Sequence, residues 1–363
     1  MRTLLLFDGI GSTNDNLLPA LRRLHSAPEN AAFFQAAFDV FDEVAAYLDP
    51  PARARLSPDG SALRQWLGAP GGVPAGSVAA GICVHLHQAC HLQPARGHPD
   101  GAVGALGHSI GLPAAILAGL RLRRTDEFLG VATALLRLVA VSLVRAHQLD
   151  GGPVPDADAV ARYLTRGHRG DGPGPMAALS GVPRAELHAM VATFNGSGGA
   201  LTVGLTNSPG SHVLSGLAVE LLAFYFAHEP RLGRAGVSWA FLPSTIPFHS
   251  PRLAPAARRV DDDRRFIGPL PAGDRLRLPV YATDGPRNLQ GSPDLVAEFL
   301  AQVLLRPIEW ELAARHAVSD AAVDRVVDFG PGPSARRFTR ECLDGVGRRL
   351  RFEPVRQFSR PGR

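Results

Sequence analysis

The sequence predicts an α/β fold: a mostly parallel sheet with helices packed on it, interrupted by a compact α+β insertion. Three observations predict it. An apolar strand, LLLFD (4–8), runs into a tight turn, GIGS (9–12). A G-x-S-x-G frame, GHSIG (107–111), leads into a helix-like apolar run. Near the other end the strand VDRVVDFG (323–330) lies between helical segments at 292–305 and 334–346. That restores the strand–helix alternation from which parallel sheets are built.

The elements follow in order. Residues 28–48 and 77–93 read as helices. The serine frame comes after the loop GHPDG (97–101), and helical runs at 111–120 and 126–148 come next. DGGPVPDADA (150–159) and RGHRGDGPGP (166–175) are rich in Gly, Pro and Asp, which marks loops or a boundary. Beyond them the character changes. PRAELHAMVATF (183–194) is helix-like, and ALTVGLTNSPGSHVLSG (200–216) reads as two short strands about a turn. VELLAFYFAHEP (219–230) reads as a helix and VSWAFLP (237–243) as a strand. Residues 176–243 therefore form the insertion.

Composition bounds the function. The chain has 363 residues, 45% hydrophobic and 20% charged, ordinary for a globular protein with a proper core. The first apolar run is too short for a signal peptide and is interrupted by Asp8. The most apolar longer stretch, VATALLRLVAVSLV (131–144), carries Arg137 in its middle, so no membrane span is expected. Three cysteines supply no disulfide framework, which points to a reducing cytoplasm. The formal charge is +5 and every basic side chain is arginine. The arginines are scattered without interleaved aromatics, against nucleic-acid binding.

The serine frame has a mechanical meaning. A strand-to-helix elbow needs small residues at 107 and 111 so that the backbone can close, which leaves the Ser109 hydroxyl exposed. The N–H of Ile110 then faces the place where an oxyanion would form, and Pro113 suits the first turn of the following helix. A serine needs a base to take its proton, and histidine is the usual one. His85, His87 and His91 share one helix and His147 ends another. His249 stands apart, in the Pro-bracketed loop LPSTIPFHSPRL (242–253) directly after a strand, where loops hold reactive side chains.

Seven segments in register resemble the acyl-CoA:acyl-carrier-protein acyltransferases of fatty acid and polyketide synthases. LLLFDGIGS stands where that family has a strand and a Gly-Gln-Gly turn. GHSIG matches its Gly-His-Ser-x-Gly elbow. TVGLTNSPGSHVLSG resembles its Asn-x-Pro…Ser-Gly hairpin, and PFHSPRL its Phe-His-Ser loop. LPVYATDG (278–285), LLRPIEWE (304–311) and VVDFGPGPSARRFTRECLDGVG (326–347) resemble its later segments. The resemblance implies a large α/β-hydrolase-like domain, 1–175 and 244–363, with a small ferredoxin-like subdomain at 176–243. It implies Ser109 as nucleophile and His249 as base, with the N–H groups of Ile10 and Ile110 holding the oxyanion. Gly9 and Gly11 would shape that turn, and His108 would pack beside the nucleophile. In the family a backbone carbonyl orients the histidine, and Glu309 of PIEW occupies that place. The substrate would be acyl-CoA, with no permanently bound cofactor and no metal. The partner would be an acidic acyl carrier protein, suited to an arginine-rich surface.

Two departures bear on selectivity. Ile10 replaces the usual Gln. Malonyl-type members carry an arginine on the helix after the elbow, which clamps the substrate carboxylate. Aligning VSLVRAHQ (141–148) puts neutral Ser142 there with Arg145 three residues on, as in starter-unit and acetyl-type members. The competing alignment places Arg137 there. With Phe248 these residues would set acyl selectivity, and a neutral pocket predicts a neutral, starter-type acyl group, since an unpaired buried carboxylate is costly. A hydrolase that clears stalled acyl groups, a malonyl-specific transacylase and a non-catalytic carrier-binding factor are the alternatives within the fold. A patatin-like dyad with Asp150 is disfavoured by the short gap after Ser109. An α/β-hydrolase triad is disfavoured because more than a hundred residues follow His249. CVHLHQACH (83–91) lacks the further ligand that zinc needs.

Overall fold

The computed structural model describes residues 1–11, 16–68, 75–97, 99–149, 152–166, 172–344 and 350–355. Parts of several expected segments lie outside these residues: Ser12 of the first turn, His98, Asp150 and Gly151, 167–171 of the second Gly/Pro-rich stretch, and 345–347 after the last helix.

Ten strands occur among the described residues: β1 Thr3–Phe7, β2 Ala102–Gly107, β3 Met176–Ser180, β4 Thr202–Ser208, β5 Ser211–Ser215, β6 Ser238–Phe241, β7 Val280–Tyr281, β8 Ile308–Glu309, β9 Arg325–Asp328 and β10 Arg351–Pro354. The first sheet has the order β10-β9-β1-β2-β7, with every neighbouring pair parallel. Its centre, β1, is buried at every position, because helices cover both faces of such a sheet. Hence LLLF is a continuous apolar run and not an alternating one. The in-register ends of β1 and β2, Phe7 opposite Gly107, bring the turn after β1 beside the turn after β2. Sites in α/β sheets form at these carboxyl ends.

The second sheet has the order β6-β3-β5-β4-β8. The run β3, helix Arg184–Gly196, β4, β5, helix Ala218–Ala227, β6 is the ferredoxin-like β-α-β-β-α-β arrangement, antiparallel throughout. Two features go beyond the segment 176–243. β8 adds in parallel to the edge strand β4, pairing Thr206 with Glu309. Residues 157–164, which begin inside the first segment expected as a loop, form helix Ala157–Leu164, with Asp156 capping it at the Ala159 N–H (2.9 Å). Its Tyr163 joins the apolar cluster of the small sheet.

Helices Ser77–His91, Leu112–Leu120 and Thr125–His147 form where their apolar periodicity places them. Thr125–His147 is long and apolar enough to cross a membrane, and 67% of its apolar window is buried here against helices Ser77–His91 and Ala31–Tyr47. The helix expected at 292–305 divides into an α turn, Leu295–Phe299, and a wider π turn, Leu300–Leu305. That widening shapes the site.

Candidate active site

Two residues in the left-handed backbone region face each other across the cleft between the sheets. Ser109 has φ +52° and His249 has φ +57°. For residues with a Cβ this is a strained conformation, held by the surroundings. At Ser109 the cause is the elbow. A Cβ at Gly107 would lie 2.3 Å from the Gly111 carbonyl oxygen, and one at Gly111 would lie 2.6 Å from that of Phe7. Only glycines let the turn close and rest against the end of β1.

The result is a hydrogen bond of 2.9 Å between Ser109 Oγ and His249 Nε2. His249 is 1% exposed. Its Nδ1 lies 3.1 Å from the Arg306 carbonyl oxygen. A carbonyl only accepts, so Nδ1 carries the proton and Nε2 presents its lone pair to the serine. The π turn delivers that carbonyl: the Arg306 N–H reaches back five residues to Ala301 (2.7 Å), and the Ser250 N–H bonds the Leu304 carbonyl (3.0 Å). Burial, with a smaller contribution from nearby His108, pushes the His249 pKa down to about 3, so the ring is neutral at pH 7.

The orienting position is therefore a correction. Glu309 does not reach His249. Its carboxylate accepts from Arg184 (2.8 Å), and its backbone N–H bonds the Thr283 carbonyl (2.7 Å). The PIEW motif signals the neighbourhood, but the carbonyl belongs to Arg306, three residues earlier.

His108 is buried, and its Nε2 lies 2.9 Å from Asn207 Oδ1 on β4. Its ring meets Trp310 edge-on at 4.8 Å. Gly9 lies against it: a Cβ there would come within 3.0 Å of His108 Nδ1 and 3.4 Å of Ser109 Cβ. Ile10 and Gly11 follow along the cavity wall, and the Ile10 N–H has no acceptor among the described residues. The Ile10 side chain points inward. A Cβ built at Gly81 would find Leu143, Ile10 and Ile110 within 4 Å, so the three converge beneath the elbow. Apolar packing holds the turn where a glutamine was expected.

Neither alignment of the clamp survives. Arg137 points away and pairs with Glu43 (2.6 Å). Ser142 is fully buried but does not line the cavity. Arg145 is held by Asp263 (2.8 and 3.0 Å). Leu143, one step of about 100° from Ser142, is the neighbour that meets Gly81 beside Ile10 and Ile110. The cavity itself, about 220 Å³, is walled by Met176, Leu205, Val213, Leu242, Phe248 and Ile10. Among the described residues one arginine lines it: Arg337, whose side chain is 64% exposed, at the rim beside Phe338. Sequence reasoning missed Ser334, Arg337 and Phe338. Their helical spacing after the Gly-Pro-Gly-Pro turn was the available signal. It also missed Asn207, which sits within the hairpin segment it had singled out.

Of the histidines of CVHLHQACH, His85 and His87 are buried in helix Ser77–His91 and His91 is half-buried at its end, and the described residues hold no cluster of metal-ligating side chains.

This architecture defines a class: the chain has the fold of the acyl-carrier-protein transacylases. It superposes on the malonyl-CoA:acyl carrier protein transacylase of Xanthomonas oryzae with a TM-score of 0.65 at 19% identity, over 98% of this chain and 95% of that one. A malonyl-transacylase solved in complex with a type II polyketide synthase acyl-carrier protein gives 0.62 at 16%, over 98% and 96%. In sequence, the chain is 28% identical over 244 residues to the fatty acid synthase subunit beta of Gibberella zeae, which is 63% of this chain and 11% of that protein. The match thus spans about a tenth of that relative. No family model matches the chain.

Proposed function

We propose that this chain is an acyltransferase that moves a neutral, starter-type acyl group from acyl-CoA to the phosphopantetheine thiol of an acyl carrier protein. One observation carries the reading: Ser109 Oγ lies 2.9 Å from an uncharged His249 Nε2, at an apolar cavity with no arginine inside its rim among the described residues. A carboxylated acyl group would lie there without a partner.

The geometry supports the following chemistry. Ser109 Oγ attacks the thioester carbonyl carbon as its proton passes to His249 Nε2. The N–H groups of Ile10 and Ile110 hold the oxyanion. The intermediate collapses, the C–S bond breaks, and the departing CoA sulfur takes the proton from His249. The carrier thiol then gives its proton to His249 and attacks the serine ester. The C–O bond breaks and Ser109 recovers its proton. The Arg306 carbonyl, bonded to Nδ1–H, keeps the imidazole in register and stabilises its transient charge. An acidic carrier protein suits a chain of net charge +5, and three free, buried cysteines suit a reducing cytoplasm.

Intact-protein mass spectrometry with a panel of acyl-CoAs, malonyl included, tests this. Neutral acyl groups should add mass to the wild type and none to Ser109→Ala. Preferential labelling by malonyl-CoA would overturn the neutral-pocket reading. Adding carrier protein then tracks the acyl group: arrival on the carrier thiol supports transfer, and release as free acid would make the chain a hydrolase.

A further inference from the structure

Asp8 is a charged residue inside the wall of the catalytic cleft, and no step of the acyl transfer uses it. It is 1% exposed. It follows β1 and opens the turn Gly9–Ile10–Gly11. Its Oδ1 accepts from the N–H groups of Gly9 (2.9 Å) and Ala335 (3.0 Å), and its Oδ2 accepts from that of Ser334 (3.1 Å). Ser334 and Ala335 open helix Ser334–Leu343, and the preceding residue, Pro333, offers no capping side chain. The cap comes from more than three hundred residues away in sequence. A carboxylate at a helix N-terminus is favoured by the unsatisfied N–H groups and the helix dipole.

One side chain thus ties together two walls of the site. The helix carries Ser334, Arg337 and Phe338 to the cavity, and a Cβ at Gly11 would lie 3.4 Å from Ser334 Oγ. The backbone of Asp8 is fastened as well. Its N–H bonds the Gly330 carbonyl (3.2 Å), and Gln88 Nε2 donates to the carbonyls of both Asp8 (2.8 Å) and Gly330 (2.6 Å).

We propose that Asp8 is a positioning residue for the acyl transfer: its carboxylate docks the turn Gly9–Gly11 on helix Ser334–Leu343 and so fixes the Ile10 N–H where the oxyanion forms. This rests on the acyl-transfer reading. Burial raises the Asp8 pKa to about 6 against the pull of three N–H donors. The charged groups facing it are Asp328 of β9, which is raised to about 6 as well, and Arg336 of the helix. His108 and His87 on the adjoining elements are neutral, lowered by burial to about 4 and about 3.

The test uses the full chain and the acyl-CoA that labels wild type fastest. In rapid-quench acylation at saturating acyl-CoA, Asp8→Asn should lower the rate constant roughly 10- to 100-fold, because a displaced oxyanion donor acts only on the transition state. Affinity for acyl-CoA, compared between Ser109→Ala and the double variant Asp8→Asn/Ser109→Ala, should change less than about twofold. A folded Asp8→Asn that acylates at the wild-type rate overturns the proposal. So does a parallel fall in rate and affinity, which marks a collapsed pocket. Where Asp8→Asn does not fold, the wild-type pH profile decides. Acylation should fall below an inflection near pH 6, and Asp328→Asn should move that inflection to lower pH without abolishing it. Abolition by Asp328→Asn assigns the inflection to Asp328 and overturns the proposal. A wild type that no acyl-CoA acylates overturns the acyl-transfer reading itself, and the role of Asp8 with it.

Discussion

His108 donates a 2.9 Å hydrogen bond from Nε2 to Asn207 Oδ1, joining the elbow of the first sheet to β4 of the second. The Asn207 backbone carbonyl also accepts from the Cys342 thiol (3.2 Å), so this residue holds helix Ser334–Leu343 as well. Both side chains are buried, at 6% and 4% exposure. Asn207→Ala leaves the His108 N–H without a partner and away from water. A loss of about 1–3 kcal/mol is expected, read by thermal or denaturant unfolding. Acylation of Ser109 should slow in the folded fraction, and unchanged stability would show that the bond does not join the sheets.

Gly107→Ala tests the elbow. The new Cβ would stand 2.3 Å from the Gly111 carbonyl oxygen and 2.6 Å from the Leu112 N, both backbone atoms that cannot swing aside. A destabilisation of roughly 3 kcal/mol is expected, with loss of acylation. Gly130→Ala, where no atom lies within 4 Å of the added Cβ, is the control and should be neutral or slightly stabilising.

The fold and the residues that meet at its centre were legible for different reasons. The strands LLLFD and VDRVVDFG announce themselves because central parallel strands must be apolar on both faces. GHSIG was legible because its glycines are forced by backbone contact. His249 was legible because it sits in a loop directly after a strand. The orienting carbonyl of Arg306 was not, because every residue has one, and only the π turn at Leu300–Leu305 selects it. The clamp position failed for a similar reason. A one-residue slip on a helix turns the side chain by about 100°, and an apolar helix gives no register to prefer Ser142 over Leu143. β10 and β8 were missed because four- and two-residue edge strands carry too little pattern.

Stability should fall steeply in mild acid. His85, His87, His91, His108 and His249 are all lowered by burial, to between about 3 and about 4. Unfolded, each titrates near 6.5. Between these values the unfolded chain binds more protons than the native one, so stability rises with pH across the window and is lost as pH falls from about 6.5. Asp8 and Asp328, raised to about 6, act in the opposite sense between about 3.8 and 6. Five imidazoles outweigh two carboxyls, and each net proton is worth about 1.4 kcal/mol per pH unit. Urea midpoints measured from pH 4 to 8 check this. His85→Leu should flatten the curve, and an unchanged slope would show that His85 is charged in the native state.

The acyl preference should respond to the apolar wall and not to Arg337. Phe248 and Met176 line the cavity from the two sides of the cleft, on the loop that bears His249 and on β3. Phe248→Ala enlarges the space and should shift the preferred acyl chain to a longer one. Met176→Trp fills it and should favour acetyl. A one-methylene change in fit is worth about 1–3 kcal/mol, so kcat/KM ratios between neighbouring chain lengths should move by roughly 10-fold or more. Arg337→Ala alters only the rim, where the guanidinium lies 4.7 Å from the Phe338 ring and the side chain is 64% exposed. It should change the KM for carrier protein or CoA while leaving the order of acyl preference intact. A reordering of acyl preference in Arg337→Ala, malonyl falling most, would instead make that arginine a carboxylate-binding group and the cavity less neutral than its walls.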